Sequence, residues 1–179
     1  MRRVLLLSIG LMACATGVGP ALEDARDAGA APTDLEVRWT EPPGPVGGRE
    51  LVVRTQDGGA LLVDRLYRPD FFEAAGEGAA PEESLAGDAP SAAEESAPTR
   101  ERVLEAEELA GLVALLVEVE AWRPPARGAL DPPVEGREAA LRIRVGSEVA
   151  EVRIAVADLA AEGRLVRVRD RLLALAGAR

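Results

Sequence analysis

Apolar and polar residues alternate in several short segments of the chain, and a period of two is typical of a β-strand with one buried side. Three such segments follow one another, at 35–40, 49–55 and 60–67. Between the second and the third lies Asp57-Gly58, a pair that favours the positive φ angles of a tight hairpin turn. The pattern therefore predicts three strands, of which the last two form a hairpin.

A second pair of alternating segments, 139–145 and 148–156, flanks the turn residues Gly146 and Ser147 and predicts another hairpin. Two other segments repeat their apolar residues at the spacing of an amphipathic helix. The first contains Leu109, Leu112, Leu116 and Val119, and the second contains Leu165, Val168, Leu172 and Leu175. The pair Pro124-Pro125 ends the first helix, because a proline disfavours the helical conformation in the residue before it.

The order of these elements, β-β-β-α-β-β-α, predicts an α+β fold in which two helices pack on one face of an antiparallel sheet of about five strands. The single domain is expected at 34–72 and 99–179. Between these parts, residues 73–98 contain seven acidic and no basic residues, which predicts a disordered acidic insertion. The alternative for this segment is loose binding of basic partners or divalent cations, although its carboxylates lack EF-hand spacing.

The N-terminal residues 1–13 have a cationic start and a short apolar middle, which is the layout of a secretory signal peptide. The apolar run of about ten residues is shorter than the roughly 20 that a transmembrane helix needs. The run ends in Leu11-Met12-Ala13-Cys14, with an aliphatic residue three positions before the cysteine and a small residue directly before it. This ending resembles the lipobox of bacterial lipoproteins, and Cys14 is the only cysteine of the chain.

The lipobox resemblance implies cleavage between Ala13 and Cys14, a diacylglyceryl thioether on the Cys14 sulfur, and often a third acyl chain such as palmitate on its amine. Two or three acyl chains anchor a protein stably in a membrane. Because Ala15 stands where an Asp would retain a lipoprotein in the inner membrane, the resemblance implies the outer membrane of the cell envelope. Residues 14–33 are then predicted to be a flexible tether. The alternative is an ordinary signal peptide cleaved after Ala15.

The composition narrows the possible chemistry. The chain has no His and no Lys, and all 21 of its basic residues are Arg. These absences exclude Ser-His and Cys-His nucleophile pairs, a Schiff-base lysine and a phosphate-loop lysine. Acylation of Cys14 would also remove thiolate chemistry and Cys/His metal sites, and the net charge of −10 disfavours nucleic-acid binding. We therefore predict that the protein is not an enzyme and uses no metal, cofactor or nucleic acid.

Two groups of residues are candidates for a contact surface. Arg142, Arg144 and Arg153 alternate with the apolar residues of the second hairpin, so we expect them on the sheet face opposite the core. Such a row suits an anionic ligand, although a solvated face of cross-strand ion pairs is the simpler interpretation. The second group is aromatic and follows the third strand: Tyr67, Phe71 and Phe72. These residues either pack against the strand or, where exposed, form a contact site.

Several short motifs follow one another along the body of the chain: Gly47-Gly48-Arg49, Leu109-Ala110-Gly111-Leu112-Val113, Trp122-Arg123-Pro124, Leu141-Arg142-Ile143-Arg144-Val145 and Leu172-Leu173. In the order of these motifs, most of residues 35–176 is similar to emfourins, which are small bacterial α+β inhibitors of thermolysin-type metalloproteases. The resemblance implies a protease inhibitor. The helix ends in Trp122-Arg123-Pro124, whereas the family has an aromatic-Leu-Pro ending, and no inhibitory residue is transferred.

Three functions are therefore open at the level of sequence. The first is a lipid-anchored cell-envelope protein that acts as a binding or structural accessory module for an unknown partner. The alternative is a proteinaceous inhibitor of a metalloprotease. The third is an envelope hydrolase that uses carboxylates, which requires two neighbouring acids of perturbed pKa in a concave site. The candidate acids for that site show no spacing that places two of them together: Asp57, Asp64, Asp70 and Asp131.

Overall fold

The computed structural model describes residues 17–44, 47–56, 59–67, 98–125 and 137–177. These residues form a six-stranded antiparallel sheet and three α-helices, so the α+β class predicted from the sequence is confirmed. The strands are β1 (Leu35–Glu41), β2 (Gly48–Gln56), β3 (Gly59–Tyr67), β4 (Thr99–Leu104), β5 (Glu138–Val145) and β6 (Glu148–Ala155). The helices are α1 (Val18–Asp27), α2 (Ala106–Glu118) and α3 (Gly163–Gly177), with a short 3₁₀ helix at Leu159–Ala161.

The spatial order of the strands is β4, β3, β2, β1, β5, β6. Strands β1 to β4 form a meander, and the chain then crosses through α2 to add β5 on the other side of β1. Both predicted hairpins are present, because Gln56 pairs with Gly59 and Val145 pairs with Glu148. The Asp57-Gly58 turn itself lies outside the described residues.

The three helices pack on one side of the sheet, which we call the helix face, and share one apolar core with it. Trp39 lies at the centre of this core, paired with Leu51 on one neighbouring strand and Leu141 on the other. The Trp39 indole Nε1 donates a hydrogen bond to Glu41 Oε1 at 3.0 Å, so its one polar atom is satisfied. The helices contribute a fully buried row over the strands: Leu22, Leu112, Leu116, Val168 and Leu172.

Helix α1 lies where the sequence predicted a flexible tether, and that prediction was wrong for this part of the chain. Val18 and Leu22 lie one turn apart on its buried side, and Gly19 lets it approach Trp122, whose indole lies 2.7 Å from where a Cβ would stand. Two large apolar residues are too few to give a helical pattern. Pro20 looks like a helix breaker, but in the first turn its missing N–H removes no helical hydrogen bond.

Strand β4 was also not predicted, so the sheet has more strands and the molecule one more helix than the sequence indicated. Only Leu104, its last residue, is buried, so no alternation of apolar residues marks the strand. It is an edge strand that pairs with β3 alone.

Several predicted features lie outside the described residues: the signal peptide with Ala13 and Cys14, the aromatic residues Phe71 and Phe72, and the acidic insertion up to residue 97. Among the helices of the described ranges, none combines the length and the hydropathy that a membrane span requires.

Candidate functional site

The side of the sheet opposite the helices, which we call the open face, carries a dense set of charged residues. The buried apolar side chains of the described helices pack on the other side. The charged residues of the open face are Glu36, Arg38, Glu50, Arg54, Arg65, Glu101, Glu138, Arg142, Arg144, Glu151 and Arg153. Six arginines thus share this face with five acidic residues, although the chain has a net charge of −10. The excess acidic charge of the chain lies elsewhere.

Glu36 is buried beneath three guanidinium groups. The strand register places it between Arg54 and Arg144. Its Oε2 accepts a hydrogen bond from Arg54 Nε at 3.0 Å and lies 3.6 Å from Arg144 Nη2, while its Oε1 lies 3.4 Å from Arg38 Nη2. Burial alone would raise the pKa of Glu36, but the charges of Arg54, Arg38 and Arg144 outweigh it, so the pKa is lowered. Glu36 is therefore charged at neutral pH.

Glu50 repeats this arrangement on β2. Its Oε2 accepts a hydrogen bond from Arg65 Nη1 at 2.9 Å and another from the Tyr67 hydroxyl at 3.5 Å, and its Oε1 lies 3.2 Å from Arg38 Nη1. Burial and the neighbouring Glu50 charge raise the pKa of Tyr67, so its phenol remains a hydrogen-bond donor. The sequence-predicted Tyr67 thus belongs to this network rather than to the apolar core.

Arg38 joins the two buried carboxylates, since its guanidinium contacts both Glu36 and Glu50. About a third of its side chain is exposed, while its Nε is buried without a hydrogen-bond partner within the described structure. The result is a continuous chain of opposite charges across four strands of the sheet, β5, β1, β2 and β3. Two fixed carboxylates hold the Arg38 guanidinium in one position, with part of it facing outwards.

Arg142 is the arginine of this face that lacks a partner in the described part of the chain. It lies directly opposite Arg38 on β1 and Glu151 on β6. Glu151 is already bound by Arg153 Nε at 2.6 Å. Because like charges directly opposite each other on neighbouring strands are unfavourable, Arg142 is an uncompensated cation beside a second, fixed one.

The sequence located part of this site. The alternation in the second hairpin predicted that Arg142, Arg144 and Arg153 share a face, and the register places them so. Their role in contacts stays a prediction. The sequence did not single out Glu36 and Glu50, because their burial depends on arginines from neighbouring strands that only the register brings together.

An apolar patch adjoins the charges on the same face. Val52 and Val63 lie opposite each other and are buried outside the main core. Beyond them Leu61 pairs with Val103, which is 70% exposed. The open face therefore combines fixed charges with two accessible apolar side chains, those of Leu61 and Val103.

The described residues do not bring together an acid pair suited to catalysis. Asp57, Asp70 and Asp131 lie outside the described residues, and Asp64 is buried on the helix face, where Arg49 binds its two oxygens at 2.8 and 2.7 Å. The lowered pKa of Glu36 is the opposite of what a general acid requires. No group of three possible metal ligands occurs in the described ranges.

In comparisons with known proteins, no family model matches the chain and no curated protein matches it.

Proposed function

We propose that the protein is a lipid-anchored cell-envelope protein that binds a partner protein through the open face of its sheet. The membrane part of this proposal rests on the lipobox-type sequence that ends at Cys14. The binding part rests on the open face, and above all on Arg142, which lacks a partner in the described structure and lies beside the fixed guanidinium of Arg38.

The charges of the open face are better explained by recognition than by stability. Removing charged groups from water offsets most of the attraction between them, so buried ion pairs contribute little net stability. An arginine that is already held in place loses little conformational freedom when it binds, and arginine is enriched among the residues that dominate binding energies. Arg38 is held in this way, while Arg142 offers a free guanidinium next to it.

The partner we propose carries carboxylates that pair with Arg142 and the exposed side of Arg38, with apolar side chains against Leu61 and Val103. Charge complementarity of this kind sets specificity and the rate of association more than it sets total affinity. The acidic remainder of the chain would repel such a partner over much of the rest of the surface, which favours docking at clusters of arginine.

In-cell crosslinking of the tagged full-length protein, followed by mass spectrometry, tests the proposal. We expect one defined partner, a loss of about tenfold in its capture for Arg142→Glu, and no loss for the control Arg167→Glu, a similarly exposed arginine on α3. Cys14→Ser should release the protein from the membrane and lower the capture as well.

Two outcomes would contradict the proposal. Equal capture of the partner by Arg142→Glu and Arg167→Glu would show that the open face is not the binding surface. Retention of the Cys14→Ser variant in the membrane would show that a lipid on Cys14 does not anchor the protein. A metalloprotease among the captured proteins would instead support the inhibitor hypothesis.

A further inference from the structure

The outer edge of β4 is a second feature of the molecule that is suited to binding. Among the described strands, β4 is at the end of the sheet and pairs only with β3, so the outer backbone groups of residues 100–104 have no strand partner among the described residues. Such an edge is a template for an added strand unless it is blocked. In strand addition, backbone hydrogen bonds provide affinity and alternate side chains provide specificity.

The side chains of β4 disfavour pairing with a second copy of this chain. A symmetric antiparallel pair is centred on one residue, which then faces its own copy. Centring on Arg100, Glu101 or Arg102 places like charges directly opposite each other, which is unfavourable. Centring on Val103 leaves only a short overlap at the end of the strand. The edge therefore favours a strand of different, complementary sequence.

A cavity of about 550 Å³ lies beside this edge on the helix face, where α3 ends above β3 and β4. It is lined by two acidic residues, two arginines and a few apolar or small residues: Asp64, Glu101, Arg100, Arg102, Leu62, Ala176 and Gly177. Asp64 is already bound by Arg49, and Arg102 donates hydrogen bonds to the Leu175 carbonyl oxygen and to Glu108.

Arg100 differs from these neighbours, because it has no ion-pair or hydrogen-bond partner in the described part of the chain. It lies directly opposite Asp64 in the register, on the same face as the cavity. The cavity therefore contains an exposed cation next to the edge at which a strand would add.

We propose that β4 accepts an extended acidic peptide segment as a seventh, antiparallel strand. A carboxylate of the peptide, in the position opposite Arg100, enters the cavity and pairs with that guanidinium, while an aliphatic side chain on the other face covers Val103. This site shares Val103 with the open-face site, but it requires neither Arg142 nor the lipid anchor.

The other edge of the sheet, β6, is the natural internal comparison. Its exposed Arg153 is already paired with Glu151 on the same strand, so it offers no free cation to an acidic peptide. A peptide that pairs with Arg100 in the cavity should therefore add to the edge of β4 and not to the edge of β6.

The test uses the purified full-length chain in detergent and a labelled, capped peptide, Val-Val-Glu-Arg-Glu-Thr, whose last glutamate would lie opposite Arg100. Fluorescence anisotropy should show saturable binding, and amide hydrogen exchange should slow in 99–104 but not in 148–155. Arg100→Glu should weaken binding about tenfold, and replacing that glutamate of the peptide by lysine should restore it. Arg167→Glu, on α3 and outside both proposed sites, is the control and should leave the affinity unchanged.

Backbone methylation of the peptide separates strand addition from simple charge attraction. Alternate residues of an added strand direct their N–H groups towards β4, so N-methylation of one alternate set should abolish binding and methylation of the other should not. Absence of saturable binding, equal effects of the two methylation patterns, or failure of the charge exchange to restore affinity would each overturn the proposal.

Discussion

The two faces of the sheet satisfy their buried groups in different ways. On the helix face, burial is almost entirely apolar, with one bidentate ion pair between Arg49 and Asp64. On the open face, Glu36 and Glu50 are buried by arginines. Apolar burial contributes much more free energy than partly exposed ion pairs do. The comparison indicates that the helix face provides most of the stability of the fold, so the charges of the open face are available for the recognition that we propose.

Neighbouring residues on β5 test this division most directly, because Leu141 faces the helices and Arg142 faces outwards. We expect Leu141→Ala to lower the free energy of unfolding by about 3 kcal/mol, through lost burial and the cavity that remains. Arg142→Ala should change it by less than about 0.5 kcal/mol. Urea denaturation of both variants measures the difference. Equal losses of unfolding free energy would mean that the two faces contribute equally to stability.

Helix α1 extends the comparison to the segment that the sequence predicted to be a tether. Leu22 is fully buried, whereas its neighbour Glu23 is exposed. We expect Leu22→Ala to cost about 2 to 3 kcal/mol of unfolding free energy and Glu23→Ala less than about 0.5 kcal/mol. Thermal unfolding followed by circular dichroism measures the stability of both variants. An unchanged stability for Leu22→Ala would mean that α1 does not contribute to the folded core and behaves as a tether.

The Arg49–Asp64 ion pair of the helix face should contribute more to the free energy of unfolding than any single ion pair of the open face. Asp64 is buried and bound through both oxygens, so Asp64→Asn leaves Arg49 without its carboxylate. The expected loss is about 2 kcal/mol. A double-mutant cycle with Arg49→Leu should show strong coupling between the two positions, and additive effects would contradict the assignment.

The open-face network should be visible in the pH dependence of stability. Because the folded pKa of Glu36 lies below its ordinary value of 4.5, its contribution is present above that pH and is lost as the pH falls through the folded pKa. At pH 7, Glu36→Gln should therefore cost about 1 kcal/mol. That difference from the wild type should shrink below about pH 4.5, as urea denaturation at several pH values would show. A difference that does not change with pH would mean that the Glu36 charge is not held by the network.

Most of the helix face could be predicted from the sequence, because alternation and helical spacing directly report which side of an element is apolar. Leu35, Val37 and Trp39, for example, alternate with polar residues and all lie in the core. Elements with little apolar signal were missed, as in α1 with Val18 and Leu22 and in β4 with Leu104 alone.

The candidate site was harder to predict than the fold, because it depends on cross-strand register. The arginines of the second hairpin could be placed on one face from their alternation. The burial of Glu36, by contrast, requires Arg54 from β2 and Arg144 from β5, which are far apart in the sequence. No local pattern marks such a contact.

We propose that the open face is the docking surface of an anchored protein. To test this, a photoreactive amino acid is placed at one position of each face in the full-length protein and irradiated in cells. Val149 is 47% exposed on the open face and makes no charged contact, and Ala114 is exposed on α2. We predict a discrete crosslinked partner from position 149 and none from position 114. A partner captured only from position 114, or equally from both positions, would contradict the account.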